Sequence, residues 1–295
     1  MRIIPRIKCE EEYRAPRIVK KIKQVKYYSF PFNIFYTDVE DKVIELFEKA
    51  PKLEVYLKGF IGMHTHNNRK FIAAIDGTEL AEIFKKRNLK IDDSKKKFKI
   101  IKEEALEVGE WKPYLKRGGS EQYYRPIMEA LDWRMNSIKK YDIPKIVPFE
   151  EEGIVISGVS SKLAARYMPR GCYWDSNKAI GFIKNKKNVS ISYMLGLLNS
   201  SLYNYLAKGI INNTSSIQIT GIHALPFVEP ENEIKEKIEK KVESIIKKKK
   251  KNLKYNYINE QKVIDEVIFN FYAEKFNFPD NLKIKLDRKY SCYSH

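Results

Sequence analysis

At Glu231 the pattern of the chain changes, and that change constrains the fold more than any other feature. From there Ile234, Ile238, Val242, Ile245 and Ile246 recur at helical spacing among lysines and glutamates, a single apolar stripe on a charged helix. The run 247–251, all lysine, closes it at the pole where a helix dipole stabilises cations. A second helix is expected from 259 to 275, with Val263, Val267 and Phe271 beside Ile264, Ile268 and Tyr272. Upstream, short apolar runs alternate with turns. Residues 71–75 read as a buried strand closed at Asp76-Gly77, and 154–157 and 179–183 as two more. Mixed strands and helices followed by a helical end make the class α+β.

Two further helices belong to the mixed part. One is expected to start at Asp38, whose carboxylate suits the free N–H groups of 39–41. It carries Val39, Val43, Ile44 and Phe47 on one side and stops at Pro51. The other is expected to be capped by Ser190 and to run to Lys208, with Met194, Leu198, Leu202, Tyr205 and Leu206 on one face. The resulting division is a basic, aromatic arm or linker over 1–36, a mixed domain over 37–228, a helical region over 229–278 and a charged tail over 279–295. Residues 85–99 are lysine-dense and read as a solvated loop or edge.

Charge limits the partners. The 295 residues hold 56 Lys+Arg against 38 Asp+Glu, a net charge of +18. An aromatic content of 13% argues for a folded chain, so the excess charge decorates a packed protein and favours a polyanion. Lysine enrichment of a thermophile or an AT-rich genome is the bland alternative. Thermophilic enrichment raises Glu as well as Lys, and here the acids do not keep pace. Cys9, Cys172 and Cys292 lie far apart without C-x-x-C spacing, which fits a reducing compartment and the cytoplasm. The start, Met1-Arg2-Ile3-Ile4-Pro5, has no apolar signal region. The most apolar stretch, 191–211, is interrupted by Asn199, Ser200, Ser201, Asn204 and Lys208, too polar for a membrane span.

No catalytic motif stands out. An Asn/Asp-Pro-Pro-aromatic loop for adenine methylation and a glycine-rich turn for a methyl donor are both missing, and no cofactor is expected. Arg117-Gly118-Gly119-Ser120 lacks the following helix of a phosphate loop. Pro279-Asp280 with Asp287-Arg288-Lys289 resembles a nuclease pattern, but the spacing is short and a charged tail explains it. His64 and His66 have the spacing of a metal pair without acids or cysteines to complete four ligands, and no metal is expected. They suit a phosphate or a base edge equally well. His223 reads as structural.

The candidates for DNA contact fall into four groups. Lys58, His64, Thr65, Asn67, Asn68, Arg69 and Lys70 combine cations with the amide and guanidinium groups that pair with adenine and guanine edges; a polar turn between strands would look the same. Lys112, Lys116, Arg117 and Arg125 are interleaved with Trp111, Tyr114, Tyr123 and Tyr124, as in a phosphate and stacking surface or as in a core with solvated charges. Arg166 and Arg170 belong to the basic stretch between the strands at 154–157 and 179–183. Asn212, Asn213, Ser215 and Gln218 either touch DNA or end a helix.

Four segments in order resemble the C-terminal target-recognition (specificity) region of the TaqI-like and Eco57I-like N6-adenine methyltransferases and type IIG restriction-modification enzymes. They are 62–72 (GMHTHNNRKFI), 111–119 (WKPYLKRGG), 193–200 (YMLGLLNS) followed by Leu225-Pro226, and 263–272 (VIDEVIFNFY). The resemblance spans 50–275, and His66 stands where that family has glycine. It implies a duplex-DNA specificity module without catalytic residues, partnered by an N6-adenine methyltransferase or restriction catalytic subunit, or a remnant of a longer enzyme, since the family's methyltransferase domain would precede it. No membrane partner is expected. A half-length type I specificity subunit, a metal-dependent nuclease and an RNA-binding or toxin–antitoxin component are the rivals.

Overall fold

A computed structural model describes residues 2–3, 20–21, 28, 30–34, 39–92, 95–186, 188–212 and 214–291. Most of the expected 1–36 arm, the Asp38 cap, Cys9, Cys292 and Asn213 lie outside the described residues. A two-residue ribbon, β1 (Arg2–Ile3) with β2 (Lys20–Lys21), precedes helix α1 (Asp41–Lys49). Val43 and Leu46 of α1 are buried, and the helix stops before Pro51 as expected.

The chain then weaves two sheets. Strand β3 (Leu57–Ile61) is followed by the single turn α2 (Asn68–Phe71) and strand β4 (Ile72–Ile75). Helix α3 (Glu79–Asn88) leads to β5 (Lys99–Ile101), β6 (Trp111–Leu115) and β7 (Glu129–Asp132). After the short α4 (Met135–Ile138) come β8 (Gly153–Ser157), β9 (Ala165–Met168), β10 (Tyr173–Trp174) and β11 (Ala179–Lys184). Five strands form one sheet in the order β10-β6-β7-β4-β5, and four form the other in the order β3-β11-β8-β9. All pairs of the second sheet are antiparallel; in the first, β10 with β6 and β4 with β5 are parallel. Chain order and spatial order therefore differ, so each sheet unites segments far apart in sequence.

Helices cover one face of the four-stranded sheet. Helix α5 (Ile191–Asn199) is capped by Ser190, whose hydroxyl accepts from the Tyr193 N–H at 3.2 Å. The single helix expected to Lys208 is instead broken at Ser200, whose backbone is extended and whose hydroxyl caps α6 (Ser201–Asn204). A π-helical stretch, Tyr205–Ile211, follows. The polar residues that interrupt the apolar run satisfy the edge of β9. Asn199 accepts from the Ala165 N–H at 3.0 Å and donates to its carbonyl at 2.9 Å, and Asn204 accepts from the Leu163 N–H at 2.7 Å. A buried amide thus stands in for a neighbouring strand.

Helix α7 (Ile219–His223) packs against β3, and the long helices α8 (Asn232–Lys251) and α9 (Ile258–Phe276) complete the layer. Ile238, Val242 and Ile245 of the expected stripe are fully buried against α5 and α9, in one core with Ile154, Ile156, Ile180 and Phe182 of the sheet. The expected tail is in fact helix α10 (Asp280–Lys289), held by buried Leu282 and Leu286. The lysine-dense 85–99 also departs from a simple loop. Its start ends α3, the Asn88 amide brackets Phe98 with bonds of 2.9 and 2.7 Å, and Lys99 begins the sheet's edge strand. The fold is α+β with a helical C-terminal part. Among the described residues no helix is long and apolar enough to cross a membrane.

Candidate nucleic-acid interface

The segment 62–70 is locked at its base and open at its tip. Gly62 lies so close to the neighbouring strand that a Cβ there would sit 2.1 Å from the Trp174 carbonyl oxygen. Met63 N–H donates to that same oxygen at 2.9 Å, and His64 exchanges backbone hydrogen bonds with Asp142. His66 has φ 59°, the left-handed conformation a glycine would adopt freely. Holding a non-glycine residue there costs about 1–3 kcal/mol. The opposing interactions are a 15° stack on His64 with ring centres 4.6 Å apart, a 2.7 Å contact from Nε2 to Asp142, and an N–H donated to His64 Nδ1. That last bond requires His64 Nδ1 to be unprotonated.

Thr65 is a correction. It is 1% exposed and its hydroxyl turns inward to the Asn68 carbonyl oxygen, so it braces the loop and presents nothing to a partner. Asn67 is exposed, but its carbonyl oxygen caps α2 by accepting from the Lys70 N–H at 3.0 Å. His64, His66, Asn68, Arg69 and Lys70 remain on the surface.

Around α2 the fold gathers cations that are remote in sequence. The charge of Lys140, partial desolvation and the further charges of Lys96 and Lys99 hold the Lys70 ammonium below its usual value. Arg69 donates to the Lys96 carbonyl at 2.8 Å and lies 4.9 Å from the centre of the Phe98 ring. Mutual repulsion on an exposed surface is relieved by a bound polyanion. Neither Lys96 nor Lys140 stood out in the sequence; the first is one of many lysines and the second is 70 positions from Lys70.

The 112–125 group is different in character. Lys112 pairs with Glu150 at 3.0 Å, Lys116 with Asp175 at 3.5 Å and Arg125 with Glu129 at 3.5 Å. Lys112 and Lys116 are partly buried and already paired, Arg125 is partly buried beside Glu129, and Arg117 is exposed. Arg166 is a second correction. It is 2% exposed, donates to the Lys116 carbonyl at 3.1 Å and sits directly under Gly118. Burial, then the nearby Arg125, push its guanidinium down to about 10. It fastens the Lys116–Gly119 turn to β9 and cannot meet a phosphate. Arg170 is exposed beside Glu151 at 3.3 Å, a surface pair of little energetic consequence.

The 212–218 group lies elsewhere, beside the turn after β8. Asn212 donates to the Ser216 carbonyl at 3.2 Å and accepts from the Thr214 N–H at 2.9 Å, closing the turn after the π-helix. Buried Lys208 donates to the Thr214 carbonyl. Asn212 therefore ends a helix, whereas Ser215 and Gln218 are exposed. Lys58 is exposed on β3. His223 is structural as expected: its Nε2 accepts from the Gly59 N–H at 2.8 Å, and burial lowers its pKa.

Asn68, Arg69 and Lys116 border one cleft, so the first two groups meet there and the 212–218 group does not join them. Among the described residues no cluster of three or more His, Cys, Asp or Glu could hold a metal ion.

No family model matches the sequence, and no curated protein matches it. Among solved structures the chain is similar to the type IIL restriction-modification enzyme MmeI in complex with DNA, at 11% identity and a TM-score of 0.48, over 78% of this chain and 34% of that one. The chain spans about a third of the length of that enzyme.

Proposed function

We propose that this chain binds duplex DNA through the exposed basic surface around α2. In this reading it is the specificity module of a restriction-modification or adenine-methyltransferase type system, with catalysis supplied by another chain or by the rest of a longer enzyme. The observation that carries the reading is the crowding of Lys70, Lys96, Lys99 and Lys140 beside exposed Asn68, Arg69, His64 and His66. Lys99 is 3.7 Å from Asp132, whereas Lys70, Lys96 and Lys140 pair with no carboxylate among the described residues, and phosphates spaced along a duplex meet that need. The adjacent amide, guanidinium and imidazole groups are the kinds that read base edges. The four segments resembling the TaqI-like and Eco57I-like specificity region support the same assignment, and His66, where that family has glycine, adopts a left-handed backbone conformation that glycine favours.

The test is the salt dependence of binding to a mixed-sequence duplex, followed by fluorescence anisotropy. Replacing Lys70, Lys96 and Lys140 with glutamine removes three contacts and reduces the slope of log K against log salt by roughly 2.7, at about 0.9 per phosphate. An unchanged slope rules out this surface as the interface.

A further inference from the structure

Between the π-helical stretch Tyr205–Ile211 and α7 lies a cavity of about 110 Å³ that shares no residue with the basic surface around α2. Leu163, Ile211 and Ile217 give it apolar walls, and Asn212 and Ser216, the two ends of the turn after the π-helix, also line it. So does Lys208. This lysine is 8% exposed, and its ammonium group donates to the Thr214 carbonyl within that same turn. Among the described residues no carboxylate pairs with it, and burial alone lowers its pKa.

The bond to Thr214 uses one of three ammonium N–H groups and leaves the charge uncompensated. A cation taken out of water without a counter-charge is costly, and a bound anion offsets that cost. The backbone supports a site here as well. π-Helical turns are rare and occur often at functional positions, because the extra residue re-aims side chains that an α-helix would place elsewhere.

The walls choose among anions. A hydrated inorganic ion gains little from leucine and isoleucine, whereas a hydrocarbon tail gains from every methylene it buries. An apolar cavity of about 150 Å³ holds benzene, so the smaller volume here suits a smaller molecule. Phe32, 63% exposed at the rim with φ 63°, offers an aromatic surface for such a tail to cover. We propose that this cavity binds a short aliphatic carboxylate of about two to four carbons, its charge on Lys208 and its tail against Leu163, Ile211 and Ile217.

Isothermal titration of the full chain with acetate, butyrate, butanamide and sulfate, in a buffer free of carboxylates, tests this. Butyrate should bind about fifteenfold more tightly than acetate, at about fourfold for each of its two added methylenes. Butanamide has the same shape without the charge and should bind at least about tenfold more weakly than butyrate. Lys208→Met keeps the length of the side chain and should abolish the difference between butyrate and butanamide. Circular dichroism verifies its folding; should it not fold, the butanamide comparison in the wild-type chain asks the same question. Gly221→Ala, whose methyl group would lie 3.3 Å from Ile211 Cγ2 at the cavity wall, should weaken butyrate several-fold and leave acetate unchanged. Butyrate bound no more tightly than acetate, or butanamide bound as well as butyrate, overturns the proposal. Sulfate bound more tightly than butyrate would make the cavity a site for inorganic anions, against the proposal. No DNA enters these titrations, so their failure leaves the duplex reading standing.

Discussion

Gly118→Ala would drive a methyl carbon to 1.9 Å from Arg166 Nη1 and 2.2 Å from its Cζ. Arg166 is 2% exposed, so its guanidinium has no route to solvent and must shift within the packed joint between the two sheets. That shift breaks its 3.1 Å hydrogen bond to the Lys116 carbonyl. A hydrogen bond made by a charged group contributes about 1.5–3 kcal/mol, and overpacking a tight site adds about 1–3 kcal/mol. Together these place the cost at about 2.5–6 kcal/mol. If the clash with the guanidinium is the cause, shortening that side chain should remove it. In an Arg166→Met background the same Gly118→Ala change should cost less than about 1 kcal/mol, a coupling of at least about 1.5 kcal/mol. Urea unfolding of the four proteins, followed by tryptophan fluorescence and far-ultraviolet circular dichroism, measures the cycle. Equal costs in the two backgrounds would refute the claim that Gly118 is required by close approach of Arg166.

Three further outcomes are expected. Asn199→Ala removes both side-chain bonds to Ala165 and leaves its buried N–H unpaired, while its carbonyl still accepts from the Tyr123 N–H at 2.8 Å, costing about 1–3 kcal/mol in urea unfolding. Leu286→Ala should cost about 2–5 kcal/mol, as expected for a buried leucine; a cost under about 0.5 kcal/mol would mean α10 is not packed as described. Glu129 has a folded-state pKa raised by burial, so the folded chain binds the proton more tightly than the unfolded chain. Its contribution to stability is full below the ordinary carboxylate range and is lost as pH rises through the folded value. Glu129→Gln should flatten the stability profile in that window; an identical slope in wild type and variant would contradict the assignment.

Much of the helical part was legible because a single physical rule governs it. The stripe through Ile238, Val242 and Ile245 needs one buried face, and it has one. The strands at 72–75, 153–157 and 179–184 are largely apolar runs, buried throughout except at Ile183 and Lys184, which is how a buried strand reads. Strands β6 and β9 were hidden because they carry Lys112, Pro113 and Arg166, polar or non-donating residues whose partners lie in other segments. Helix α10 was hidden because its charged residues outnumber the two leucines that anchor it. At the candidate site, His64, Asn68, Arg69 and Lys70 were visible as one local segment. Lys140, Phe98 and Glu129 were not, since only the order β10-β6-β7-β4-β5 and the packing of α3 bring them near it. Thr65 and Arg166 were misjudged for the converse reason: residue type suggests a contact, while burial decides that they serve the scaffold.

The central claim is that DNA lies on the surface around α2. Lysine acylation mapped by mass spectrometry, with and without a duplex at low salt, locates the bound polyanion directly. The account predicts protection of Lys70, Lys96 and Lys140, with Lys240 and Lys247 on exposed parts of α8 reacting equally in both samples. Protection confined to α8, or absent everywhere while the duplex is bound, would contradict it.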